Sequence, residues 1–160
     1  MTKKLNLERF KKSQAGLIEF AMLIEQADPP SAKRIIEGAT EQDPEFVYQV
    51  MRKVVFFEEL LYLDETIISE ILSKASPKIL ACALKEAPQE FKQKLTSFLG
   101  FRELRKLMQE EEELGDVVNK KLILGAQRQI LKIARDLEAN NKFSFEAPDC
   151  PRLNSRKKRA

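Results

Sequence analysis

The chain has 160 residues, 28 Lys and Arg against 25 Asp and Glu, and neither His nor Trp. Without His, and with its two Cys 68 positions apart, it offers nothing to His-based catalysis, a zinc finger or a disulfide framework. Apolar residues at 43% describe a folded core, and charged residues at 33% beside five Gly and seven Pro describe helices with wet outer faces rather than an all-β fold.

Residues 1–12 are basic, with Lys3, Lys4, Arg9, Lys11 and Lys12, but the apolar stretch that follows carries Glu19 and lacks a small-residue cleavage site. It reads as an amphipathic helix, with Leu17, Ile18, Ala21 and Ile24 on one face. Asp28-Pro29-Pro30 ends that helix and starts a second, which has Ile35 and Ile36 as its buried pair and is expected to close at Gly38. Asp43-Pro44-Glu45 starts a third, expected to run towards Phe57. The Asp accepts from free helix N–H groups, Pro loses no hydrogen bond at the first position, and Glu suits the positive dipole end.

Val54-Val55-Phe56-Phe57 is an apolar block that reads as the buried end of that helix. Asp64, Ser76-Pro77 and Ala87-Pro88 repeat the same start grammar, with Gly100 and Gly115 as expected stops. The last helix is the longest, with Leu122, Ala126, Ile130, Ile133, Ala134 and Leu137 inward, Asp116 as its cap and Asn140-Asn141 as its end. Phe143 and Phe145 read as a short extended segment folding back on the helices. From Glu146 onward five bases face two acids, so the tail carries the whole net charge of +3 and residues 1–145 are neutral. The body therefore shows no nucleic-acid footprint, and 146–160 reads as a disordered basic tail.

The fold class is all-α, as two small helical subdomains joined at a hinge near 54–64. The division expected is 1–53, 54–145 and the tail 146–160. No stretch approaches the roughly 18 apolar residues that span a bilayer. Cys82 in an apolar helix and Cys150 in the tail fit a reducing cytoplasm.

Two charged features stand out. Glu110 to Glu113 form the densest acidic cluster, but consecutive helical residues point in different directions, so four adjacent Glu do not converge on one ion or substrate. Lys85, Lys92, Lys94, Arg102, Arg105 and Lys106 lie just upstream. Together they read either as ordinary solvated helix faces or as a two-signed surface for a charged protein partner. Phosphate loops, nucleophile signatures and Asp-rich cation loops are missing, so the expectation is no enzyme, no cofactor and no metal.

Arg52-Lys53-Val54-Val55-Phe56-Phe57-Glu58-Glu59-Leu60 followed by Leu63-Asp64-Glu65 resembles the bacterial flagellar motor switch protein FliG at its hinge and the segment after it. Ala32 to Glu37 and Glu41 to Glu45 are similar to the end of that family's middle domain. Ala83-Leu84-Lys85, Gln127 to Leu131 and Ile133 to Leu137 are similar to its C-terminal domain. The resemblance implies a rotor component of armadillo-like packing, at the inner face of the cell membrane. It implies contacts with the cytoplasmic loop of a stator protein, a FliM-type switch protein and other FliG-type subunits, with no nucleic acid and only peripheral membrane contact. It places stator-facing charges at Lys85, Arg102, Glu110 and Glu111, and the hinge at Val54, Val55, Phe56 and Phe57. A later family Arg falls at uncharged Val118, with Lys120 and Lys121 near by. The family's N-terminal domain and its His-containing middle-domain motif have no counterpart. The alternative is a shortened FliG-like adaptor without a torque role.

Overall fold

The computed structural model describes residues 6–116 and 119–147, and among them every regular element is helical. The tail from Pro148, with Cys150, and the Val118 position lie outside the described residues. The chain divides into two compact units, one ending at Phe56 and the next beginning at Phe57.

The first unit holds α1 (Glu8–Lys11), α2 (Gln14–Gln26), α3 (Pro29–Gln42) and α4 (Pro44–Lys53). Helices α3 and α4 begin where the sequence grammar places them, and α2 begins at a Ser13 cap. Ser13 accepts from the Gly16 N–H at 3.2 Å, Asp28 from Ser31 at 2.8 Å and Asp43 from Phe46 at 3.1 Å. Pro29 and Pro44 fill first-turn positions whose N–H groups have no helical partner. The core is a chain of edge-to-face rings. Phe20, wholly buried, meets Phe10 at 5.0 Å and Phe46 at 5.4 Å between centroids, among Leu17, Ala21, Ile24 and Val50. The backbone of α1 comes so close to α2 that a Cβ on Gly16 would stand 2.3 Å from the Phe10 carbonyl oxygen.

Three expectations fail in this unit. Gly38 does not close the second helix, because α3 runs on to Gln42. A helical glycine costs only about 1 kcal/mol relative to Ala, and fully buried Ala39 anchors the helix beyond it. Ile35 and Ile36 are half-buried, packed against this core rather than within it. The helix from Pro44 stops at Lys53, short of Phe57. Glu25, on α2 and almost fully buried, accepts the Val55 N–H at 2.9 Å. That amide is thereby withdrawn from the helical ladder.

The second unit opens with a 3-10 turn, Phe57–Tyr62, followed by α5 (Glu65–Lys74), α6 (Pro77–Ala83), α7 (Gln89–Thr96), α8 (Phe101–Leu114) and α9 (Lys120–Ala139). Ser76 caps α6 by accepting from Ile79 at 3.2 Å, with Pro77 behind it. Helix α6 lies against both α8 and α9, and α9 also touches α5 and the 3-10 turn. Gln127 of α9 donates to the Ala83 carbonyl at 3.1 Å, satisfying the open end of α6. Gly100 begins α8 instead of stopping a helix, while Gly115 closes it at φ +61°, a conformation favouring glycine.

The cap of α9 is Asn119, which accepts from Leu122 at 2.9 Å, and not Asp116. The inward face of α9 runs through Ile123, Ala126, Ile130, Ala134 and Leu137, leaving Leu122 with 59% of its surface exposed and Ile133 half-buried. Phe143 and Phe145 form no strand. They follow the Asn141 turn and fold back on α9. The Phe145 N–H donates to Glu138 at 2.7 Å, and the other Glu138 oxygen holds the buried Arg135 guanidinium at 2.8 Å. Arg135 in turn lies 5.1 Å from the centroid of the Phe145 ring.

Candidate functional site

Helix α8 spans 14 residues and sorts them by face. Leu104, Leu107, Glu111 and Leu114 recur at spacings of three and four and form the inward stripe, with Leu107 fully buried and the others half-buried. Opposite them lie Arg102, Arg105, Lys106, Gln109, Glu112 and Glu113, all exposed. Along this outer face the first half is basic and the second acidic. Glu103 in the first turn suits the helix dipole, but Arg102 beside it and Glu112 and Glu113 in the last turn run against a dipole that favours acids first and bases last. The outer face thus lays out both signs of charge along about 20 Å of helix.

The four charges that the family resemblance marks are not one surface. Arg102 stands on the outer face near the start of α8, exposed. Glu110 sits half-buried on the flank. Glu111 occupies the inward stripe, and its carboxylate is 2.9 Å from Lys92 of α7, each side chain about a quarter to a third exposed at 25% and 31%. Lys85 lies in the turn after α6 and reaches Asp116, just beyond the other end of α8, at 3.9 Å. Lys85 and Arg102 are thus at opposite ends of α8. Counting charge along the sequence missed this; the 3–4 phase of Leu104, Leu107, Glu111 and Leu114 was the signal that turns Glu111 inward.

At the unit boundary Val54, Val55 and Phe57 are buried, and the Phe57 ring lies 5.3 Å from that of Phe91. Phe56 keeps 40% of its surface, so the expected burial of the whole block holds for three residues of four. Helix α4 has already ended, and a side chain here no longer follows the helical phase from which the block was read. Cys82, in α6, has its sulfur 3.4 Å from the Leu122 carbonyl oxygen, and burial pushes its thiol up. Among the described residues no group of three His, Cys, Asp or Glu is placed to hold a metal ion, and no helix is long and apolar enough to cross a membrane.

The described residues form helices only, and α8 carries a charged outer face of both signs, the make-up of a protein-binding helical module. The family of the FliG C-terminal domain matches residues 37–145, and the chain belongs to it. The flagellar motor switch protein FliG of Thermotoga maritima is 31% identical over 123 residues, 77% of this chain and 36% of that protein. Its counterpart in Aquifex aeolicus is 31% identical over 130 residues, 81% of this chain and 39% of that protein. Among solved structures, a crystal structure of FliG from H. pylori superposes with a TM-score of 0.62 at 27% identity, covering 84% of this chain and 63% of that one. Full-length FliG from Aquifex aeolicus gives a TM-score of 0.52 at 28% identity over 82% of this chain and 41% of that one. The chain spans a little over a third of the length of these curated relatives, at 36% and 39%. The family is one of motor switch proteins, not of enzymes.

Proposed function

We propose that the chain is a component of the flagellar motor switch, at the inner face of the cell membrane, and that the outer face of α8 meets the cytoplasmic loop of a stator protein. The observation that carries this reading is the charge order on the outer face of α8, Arg102, Arg105 and Lys106 followed by Glu112 and Glu113, in a chain of the FliG C-terminal family. Arg102, Arg105 and Lys106 meet acidic groups of the loop, and Glu112 and Glu113 meet basic ones. Lys85 and Glu110 border that face and add to its field. The chain also contacts a FliM-type switch protein and neighbouring FliG-type subunits, and residues 54–57 serve as a hinge.

The test is swimming. Reversal of Arg102 and Arg105 together to Glu leaves the fold intact, because both are solvated, and turns attraction into repulsion at two points one helical turn apart. Cells carrying the double reversal as their only copy are expected to build flagella and swim poorly. Normal swimming with the variant present in the rotor overturns the stator assignment. The adaptor reading then takes its place; what favours it is that Glu111 is committed to Lys92 and that Lys85 stands away from Arg102.

A further inference from the structure

We infer that α8 is also a self-association surface, on which a second copy of this chain docks antiparallel about a two-fold axis beside Met108. Phe101, Arg105, Met108 and Glu112 follow one another at spacings of four, three and four and so share one stripe of α8. Phe101 is 79% exposed and Met108 58%, two large apolar side chains on an outer face that nothing in their own unit covers, and Arg105 and Glu112 are exposed between and beside them. The ion pair that ties α8 to α7 uses Glu111 and leaves Arg105 and Glu112 out of it.

This stripe is its own complement. A two-fold interface requires that when residue i of one copy meets residue j of the other, j also meets i. The midpoint of Arg105 and Glu112 falls between Met108 and Gln109, so an antiparallel copy centred there sets Met108 against Met108 of the second copy. Arg105 of each copy then faces Glu112 of the other, and Phe101 covers the far end of the opposing helix. A parallel arrangement would set Arg105 against Arg105 and Glu112 against Glu112. The charge order therefore selects the antiparallel one, and antiparallel helix dipoles favour it too. Two helices of about 20 Å bury far less than the roughly 1,200 Å² of a stable interface, so the dimer is weak and responds to concentration and salt. It goes beyond the stator reading and does not depend on it.

The experiment is sedimentation equilibrium of the full chain over a rising concentration series, at low and at high salt. The wild-type chain is expected to shift towards dimer mass at low salt and to return towards monomer at high salt. R105E puts four acids around the contact and E112R puts four bases there, so each alone is expected to weaken association by about tenfold or more. An equimolar mixture of the two variants restores both pairs with opposite charges, and so does the double variant R105E/E112R, and both are expected to associate like the wild type. Equal helical content of all variants by circular dichroism is expected, since the altered side chains are solvated. A wild-type chain that stays monomeric, a dimer that ignores the single reversals, or a mixture that fails to associate each overturns the proposal. Sedimentation uses no stator, so none of these results bears on stator contact.

Discussion

Glu111 takes an apolar position on the inward stripe of α8, and Lys92 of α7 meets its carboxylate there at 2.9 Å. The pair joins two helices through a half-dry contact, and both side chains stay too exposed for a large net contribution. Such pairs are worth about 1 kcal/mol or less. Glu111→Leu completes the Leu104–Leu107–Leu114 stripe and is expected to leave the urea unfolding free energy within about 0.5 kcal/mol of wild type. Lys92→Ala leaves the carboxylate without its cation and is expected to lower stability by about 1 kcal/mol. A loss of several kcal/mol in Glu111→Leu would show that the pair, and not the packing, holds α7 to α8.

Two glycines in the first unit separate close approach from helix propensity. A Cβ at Gly16 meets backbone, which does not rotate away, so Gly16→Ala is expected to cost about 1–3 kcal/mol. Gly38 lies mid-helix in α3 with open space around its Cβ position, and Gly38→Ala is expected to stabilise by about 0.5–1 kcal/mol. Chemical unfolding followed by circular dichroism reads both, and equal effects at the two positions would contradict the packing described for α1 on α2.

Much of this architecture was legible in the chain, and the failures have physical causes. Asp28-Pro29, Asp43-Pro44 and Ser76-Pro77 announced their helices because a capping oxygen and a proline each act on their own neighbours. Gly38 and Gly100 misled because glycine is punctuation only where packing permits it. Ala39 carried α3 through one, and the other became a start. Asp116 yielded its role to Asn119 because α9 begins later than its charge pattern implied. At the site, the presence of opposite charges around residues 85–113 was visible, but their grouping was not. It depends on the phase of α8 and on where the turn after α6 places Lys85.

The pH response of the first unit follows from Lys11 and Asp43, whose charged atoms are 2.7 Å apart. The hydrogen bond from Lys11, helped by the Phe46 N–H, holds the Asp43 carboxyl below its ordinary value, and the bond to Asp43 holds Lys11 above its own. A depressed acid contributes stability that is present above its unfolded pKa and lost as pH falls through the folded one. A raised base contributes stability that is present below its unfolded pKa and lost as pH rises through the folded one. The difference in melting temperature between wild type and Asp43→Asn is therefore expected to be largest at neutral pH and to shrink in strong acid and strong base. A difference independent of pH would contradict the ion pair.

The two rings at the unit boundary are expected to differ. Phe57 is 6% exposed and rests on Phe91, so Phe57→Ala is expected to cost about 3–5 kcal/mol. Phe56, at 40% exposed, is expected to cost less than half of that when changed to Ala. Equal losses in urea titration would return Phe56 to the core.

Chemical-shift mapping of the isotope-labelled chain against a peptide from a stator protein's cytoplasmic loop tests the proposed role of the outer face of α8. Shifts are expected to concentrate on Arg102, Arg105, Lys106, Glu112 and Glu113 and to weaken as salt screens exposed charges beyond about 10 Å at 0.1 M. Lys92, paired inside the contact with Glu111, should stay still. Shifts confined to the first unit, or none at any peptide concentration, would contradict that role.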